Sequence, residues 1–290
     1  MDQQQFNTLL AREIEQMCRL ALIEDLAGEN NEDITAALIP AEKYASATLI
    51  TREDCILCGV DWVNKVFELV DSQVTIDWQY QDGDKVAAGS ILCKLKGNAR
   101  ALLTGERSAM NFLQTLSATA TLTNQYVEQL GNSTCKLLDT RKTIPGMRFG
   151  QKYAVTCGGG SNHRLGLSDA YLIKENHIMS CGGIAQALAT AINNNPEKLL
   201  EIEVESLDEL VQALDGKAQV IMLDNFSLKD MKSATQLRDS HVNKAKLEAS
   251  GNVSLETLAQ IAETGVDYIS VGALTKNVTA LDLSMRIDLN

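Results

Sequence analysis

The chain has 290 residues, 45% hydrophobic and 22% charged, enough for one large domain or two modest ones. Its 38 acidic residues against 26 Lys and Arg give a formal net charge of −12, which argues against nucleic acid or an anionic membrane surface as the main partner. The opening MDQQQFNTLLAREIEQM is polar and acidic and no long apolar run follows, so neither a signal or transit peptide nor a membrane span is expected. Seven cysteines, mostly single in apolar stretches, suit a reducing cytoplasm, the expected location.

Residues 6–26 carry Leu10, Ile14, Met17 and Ala21 at helical spacing and predict an amphipathic opening helix. GENNEDITAALIP follows as a loop ending in a short apolar element. Residues 45–51 and 54–60 are β-prone. Cys55 and Cys58 have metal-like spacing, but no second ligand pair follows and His163, His177 and His241 are dispersed, so the two read as buried strand cysteines. Residues 61–70 return to helical spacing, 74–80 predict a strand, 82–84 a turn and 90–94 another strand. That hairpin has the rhythm of lipoyl carrier domains, although Lys85 reads as structural. The first hundred residues predict a small α+β domain.

TGERSAMNFLQTLSATATLTNQYVEQL is a long helical stretch with Thr104 as its expected N-cap and Glu106 in its first turn. Arg107 then falls near the positive helix end, an odd place for a cation unless an anion lies beside it. From Cys135 strands and helices alternate. Strands are expected at 135–139, 170–173, 200–205, 219–223, 245–250 and 268–271, with helices at 184–193, 207–214 and 255–263. Such βα repeats mean a parallel sheet, and their number favours a barrel over a doubly wound sheet.

Residues 139–177 gather Arg141, Lys142, Arg148, Lys152, Arg164 and Lys174 in an otherwise acidic chain, with three consecutive glycines and the His163–Arg164 pair. Guanidinium forks grip carboxylates and phosphates bidentately, and glycines let backbone N–H groups approach an anion, so a small polyanion is the expected ligand. In 200–205, Ile202 and Val204 alternate with Glu201, Glu203 and Glu205. In 245–250, Leu247 and Ala249 alternate with Lys246, Glu248 and Ser250. Packing the apolar side on helices points the charged side inward, where these groups must neutralise one another or bind something. Strands end in Asp139-Thr140-Arg141-Lys142, Lys174-Glu175, Asp224-Asn225, Ser250-Gly251-Asn252 and Ser270-Val271-Gly272. The last two suit a phosphate cradle. Glu203 and Asp224, hard oxygen donors on neighbouring strands, could hold Mg²⁺ jointly with substrate oxygens.

GERSAMNFLQTLSATAT, DTRKTIPGMR, KYAVTCGGGSNHR, LIKENHI, EIEVESL, IMLDNF, LEASGN and ISVGALT together resemble the ordered motifs of the quinolinate phosphoribosyltransferases, the decarboxylating nicotinate-nucleotide pyrophosphorylases. The resemblance spans essentially the whole chain. Asn252 stands where a second glycine is common in the family and Lys276 where a histidine often follows ALT. The resemblance implies an N-terminal α+β domain over 1–115, joined by 277–290, and an open or incomplete α/β (TIM-like) barrel over 116–276. It implies transfer of phosphoribose from phosphoribosyl pyrophosphate to quinolinate, with loss of CO₂ and pyrophosphate, giving nicotinate mononucleotide for de novo NAD synthesis. It further implies Mg²⁺ and a homodimer whose Arg107 enters the neighbouring subunit's site. Arg141, His163, Arg164 and Lys174 would bind quinolinate, and Lys142 would sit where the two substrates meet. Thr140 would bind substrate beside them. Glu203 and Asp224 would act through the metal, and Ser250, Gly251, Asn252, Ser270, Val271 and Gly272 would hold the 5-phosphate. Alternatives are a phosphoribosyltransferase for another pyridine carboxylate, a Schiff-base lyase using Lys174, and a non-catalytic phosphosugar sensor.

Overall fold

The computed structural model describes residues 2–288; residues 1, 289 and 290, at the ends of the spans expected for the first domain, lie outside the described residues. Through residue 130 the chain forms α1 (Gln3–Asp25), β1 (Tyr44–Thr51), β2 (Cys55–Ile56), α2 (Val60–Val70), β3 (Thr75–Trp78), β4 (Lys85–Val86), β5 (Ile91–Asn98) and α3 (Ala99–Leu130). It continues through β6 (Lys136–Leu138), α4 (Arg148–Cys157), β7 (Tyr171–Ile173), α5 (Glu175–Cys181), α6 (Ile184–Asn194), β8 (Leu200–Val204), α7 (Leu207–Asp215) and β9 (Val220–Asp224). The last elements are α8 (Leu228–Ser240), β10 (Lys246–Ser250), α9 (Leu255–Ala262), β11 (Tyr268–Ser270), α10 (Ala273–Lys276) and β12 (Leu283–Asp288). No described helix is long and apolar enough to cross a membrane.

Two compact units result. The first takes residues up to Asn124, Thr143–Gly159 and those from Leu274 onward; the second takes Gln125–Lys142 and Gly160–Ala273. The first unit holds an antiparallel sheet ordered β12-β1-β5-β3. Along β1, Ala45, Ala47, Leu49 and Thr51 are buried and the intervening residues are not, as a period of two requires of a one-sided sheet. Trp62, Val66 and Phe67 of α2 and Leu102, Leu113 and Leu116 of α3 supply much of the core beneath it. Thr143–Gly159 falls within the expected barrel span 116–276 but belongs to this first unit. The physical tie is Glu13 of α1, whose carboxylate accepts the Phe149 and Gly150 N–H groups at 2.9 and 2.6 Å. An anion from a distant helix thus satisfies the open N-terminal donors of α4, where Met147 provides no side-chain cap.

Two expectations fail locally. Residues 54–60 form a strand only at Cys55–Ile56. Helix α3 begins at Ala99, not Thr104: Asn98 Oδ1 accepts the Arg100 and Ala101 N–H groups, while Thr104 Oγ1 donates to Asp33 within the helix body. Glu106 and Arg107 are therefore about two turns from the positive end, and the dipole argument for an anion at Arg107 lapses.

The second unit is a six-stranded sheet ordered β6-β11-β10-β9-β8-β7, parallel throughout. Alternating strand and helix puts every strand's C-terminal end on one rim. Among the described residues, β6 and β7 are its two edges, so the sheet curls as an open barrel without closing. Ser161 extends the β6 edge by a parallel bridge to Leu138, which carries the loop before His163 and Arg164 past the end of β6.

Candidate active site

The residues following β6, β7, β9, β10 and β11, and Glu203 near the end of β8, share the C-terminal rim of the second unit. Asp139, fully buried at the end of β6, locks the neighbouring loop: its Oδ1 accepts His163 N–H at 2.9 Å and its Oδ2 accepts Asn162 Nδ2 at 2.7 Å. Those bonds seat Arg164 beside Arg141. Both arginines carry a buried Nε with no acceptor, and Arg164 otherwise donates through Nη1 to Ala170 O at 3.2 Å. Burial first, and the nearby Arg141 charge second, hold the Arg164 guanidinium below its usual range. Two half-buried like charges with unused donors are unfavourable as they stand and favourable with a polyanion between them.

Carboxylates face the next strands. Glu203 Oε2 accepts Lys174 Nζ at 2.5 Å. Glu175 most strongly, then burial and Glu209, Asp224 and Glu203, raise the pKa of Glu205, so negative charge is concentrated around the ends of β8 and β9. Asn225 Nδ2 donates to Asp224 Oδ2 at 2.9 Å and orients that carboxylate. This all-oxygen donor set fits a hard cation such as Mg²⁺, which typically takes only one or two protein carboxylates and fills its shell from substrate and water.

The small turns are held tightly. Gly251 has φ +95°, and a Cβ there would lie 2.2 Å from Asn225 Oδ1. Asn225 and Asn252 themselves adopt φ of 55° and 51°, and Asn252 Nδ2 donates to Asn225 Oδ1 at 3.3 Å. Asn tolerates this left-handed region better than most residues, which is how Asn252 can stand in a glycine-like position. A Cβ on Gly272 would lie 3.2 Å from Lys142 Cδ and 3.6 Å from Thr140 Oγ1, so Thr140 and Lys142 lie along the Ser270–Gly272 turn. Thr140 Oγ1 also accepts Lys142 N–H at 3.1 Å. Ser270 is buried and its hydroxyl lies beside Glu248, and Val271 is buried as well.

The structure divides the cation-rich stretch. Arg141, Lys142, Arg164 and Lys174 belong to the second unit; Arg148 and the fully buried Lys152 belong to the first. Arg107 is exposed on α3 of the first unit. Lys246, expected inward, is more than half exposed and pairs with Asp267 at 2.7 Å. It opens its strand, at the end remote from the rim. Glu201 and Glu248 do point inward, and their partner is His163. Both ring nitrogens of His163 are engaged, Nε2 with Glu201 at 3.0 Å and Nδ1 with Arg164 N–H at 2.8 Å. Asp139 and Asn225 stand in the strand-end runs singled out in the sequence but carry no role of their own there; their part in shaping the site follows from Asp and Asn at a strand end bonding neighbouring backbone.

The family model described as quinolinate phosphoribosyl transferase, C-terminal domain, matches residues 119–286, and that for the N-terminal domain matches 33–117. The nicotinate-nucleotide pyrophosphorylase (carboxylating) of Mycobacterium leprae is 40% identical over 274 residues, covering 93% of this chain and 95% of that protein. The probable nicotinate-nucleotide pyrophosphorylase (carboxylating) of Bacillus subtilis is 39% identical over 259 residues, 89% of each. Among solved structures, the nicotinate-nucleotide pyrophosphorylase from Francisella tularensis superposes with a TM-score of 0.91 at 49% identity over 96% of each chain. Matched by the family's two domain models over residues 33–117 and 119–286 and in fold over 96% of its length, the chain belongs to the quinolinate phosphoribosyltransferase family.

Proposed function

We infer that this chain is a pentosyltransferase: it transfers the 5-phosphoribosyl group of phosphoribosyl pyrophosphate to the ring nitrogen of quinolinate, with loss of CO₂, giving nicotinate mononucleotide and pyrophosphate for NAD synthesis. The observation that carries the reading is the pair of buried, acceptor-less guanidinium nitrogens of Arg141 and Arg164, two donors suited to a dicarboxylate. In the residue assignment we propose, Arg141, Arg164 and Lys174 take the quinolinate carboxylates and His163 supports Arg164. Lys142 and Thr140 lie between diacid and sugar phosphate. Ser250, Gly251, Asn252, Ser270, Val271 and Gly272 surround the 5-phosphate with backbone N–H groups.

Glu203 and Asp224 would hold Mg²⁺, which when bound supplies charge compensation for pyrophosphate. The chain's own work is orientation. Fixed cations hold the ring nitrogen in line with ribose C1, and nearby carboxylates stabilise positive charge as the C1–O bond loosens. Pyrophosphate leaves with the bonding pair. The ribosylated ring nitrogen is then cationic and stabilises the electron pair left on the adjacent ring carbon as the C–CO₂ bond breaks; that pair takes a proton from solvent, which replaces CO₂ on the carbon. Lys174, nearly half exposed and ion-paired with Glu203, lacks the desolvated apolar setting that activates a Schiff-base amine.

A homodimer in which Arg107 serves the neighbouring subunit belongs to the same proposal, as does a cytoplasmic location. The exposure of Arg107 leaves its guanidinium accessible for such a role. The test incubates protein, Mg²⁺, phosphoribosyl pyrophosphate and quinolinate and measures CO₂ and nicotinate mononucleotide together. Equimolar appearance is expected; turnover of nicotinate but not quinolinate would overturn the reading.

A further inference from the structure

We propose that Glu201 and Glu248 are positioning residues for this site: the buried carboxyl pair holds His163 with its proton on Nε2 and thereby fixes the Arg164 backbone from which the guanidinium reaches the rim. Its bearing on catalysis rests on the reading that Arg164 takes a quinolinate carboxylate; the state of the His163 ring does not.

His163 Nδ1 accepts the Arg164 N–H at 2.8 Å. A ring nitrogen that accepts carries no proton, so in imidazole the proton is on the other one. That nitrogen, Nε2, faces Glu201 Oε2 at 3.0 Å and Glu248 Oε2 at 3.6 Å. The ligand atoms of the three residues lie within 4.8 Å of one another, close enough to hold a metal ion. The tautomer argues against one. A metal takes the Nε2 lone pair and leaves the proton on Nδ1 as a donor, and Nδ1 already receives the Arg164 N–H.

The groups instead close as a hydrogen-bonded chain. Glu201 and Glu248 are 3% and 1% exposed, and two carboxylates so deeply buried side by side resist being charged together. Burial first, and the Glu201 charge second, push Glu248 up to about 8 against the opposing pull of His163 and Ser270. The protonated Glu248 donates to Glu201, Glu201 accepts the His163 Nε2 proton, and Nδ1 receives the Arg164 amide. Asp139 holds the same peptide from its other side through the His163 N–H at 2.9 Å. The chain converges on the peptide that aims the Arg164 side chain.

The direct test is ¹⁵N NMR of the labelled full-length protein near neutral pH, with the His163 signals identified by their loss in His163→Gln. Nδ1 is expected without a proton and Nε2 with one. A protonated Nδ1, or a metal ion bound by His163 Nε2 together with Glu201 and Glu248, would overturn the proposal. Glu248→Gln keeps a donor toward Glu201, and its quinolinate KM should stay within about twofold of the parent. Glu248→Leu removes the donor, and quinolinate KM should rise roughly tenfold with KM for phosphoribosyl pyrophosphate unchanged. A folded Glu248→Leu with unchanged quinolinate KM, or a Gln variant impaired as much as the Leu variant, would also overturn it. If Glu248→Leu does not fold, the NMR readout decides. Because that readout needs no turnover, failure of the activity reading and failure of this proposal are distinguishable.

Discussion

Replacing Arg141 by alanine separates binding from folding. The buried Nε makes no intrachain bond, and the Arg141 charge is one of the causes that depress the neighbouring Arg164 guanidinium. Truncation therefore removes a like-charge contact, and the melting temperature should hold or rise slightly. The effect on substrate is opposite in sign. Losing one partner of a desolvated, hydrogen-bonded charge pair costs about 2–5 kcal/mol, or roughly 30- to 4,000-fold in kcat/KM at about 1.4 kcal/mol per tenfold. Arg141→Lys keeps the charge without the planar fork and should fall between. The assay varies quinolinate at saturating phosphoribosyl pyrophosphate, then the reverse, alongside a thermal melt. The loss should appear in the quinolinate arm. Near-parental turnover in Arg141→Ala, or a loss accompanied by collapse of the melt, would refute the reasoning.

Gly251→Ala places a Cβ against Asn225 Oδ1 at positive φ; a destabilisation of roughly 1–3 kcal/mol is expected, with a raised KM for phosphoribosyl pyrophosphate, read by melting and kinetics. Glu203→Gln and Asp224→Asn remove oxygen charge from the proposed cation site and should shift the Mg²⁺ activation curve to higher concentration; an unshifted curve would place the metal elsewhere. The Glu248 carboxyl sits at about 8 in the folded chain against 4.5 for its ordinary value, so protonation favours the folded state. The stability this group contributes is full below about pH 4.5 and declines as pH rises toward 8, by at most about 1.4 kcal/mol per pH unit. Glu248→Gln should flatten that part of the melting profile relative to the parent.

The open barrel was legible because its strands carry an unusually clear alternation. Ile202 and Val204 are fully buried on one face of β8 while Glu201 and Glu203 share the other, and each strand ends in residues whose chemistry marks the rim. Legibility failed where tertiary partners decide. Thr104 has the chemistry of an N-cap, yet Asn98 one turn and a half earlier takes the role because β5 delivers the chain there. Arg148 and Lys152 read as members of the cation cluster, but Glu13 in α1, 135 or more residues earlier, draws α4 into the first unit. Lys246 matches the inward period of its strand, but it stands at the strand's opening end, where Asp267 is nearer than the lumen. The ring contacts of His163 are to Glu201 and to the Arg164 amide, and no local spacing connects it to the strand that carries Glu201.

The most direct measurement is a crystal structure of the protein with quinolinate bound. Carboxylate oxygens within hydrogen-bonding distance of both Arg141 Nε and Arg164 Nε are predicted, with the ring nitrogen turned toward the rim shared by Lys142 and Glu203. A diacid seated away from both guanidiniums, with the two nitrogens still lacking an acceptor, would contradict the account.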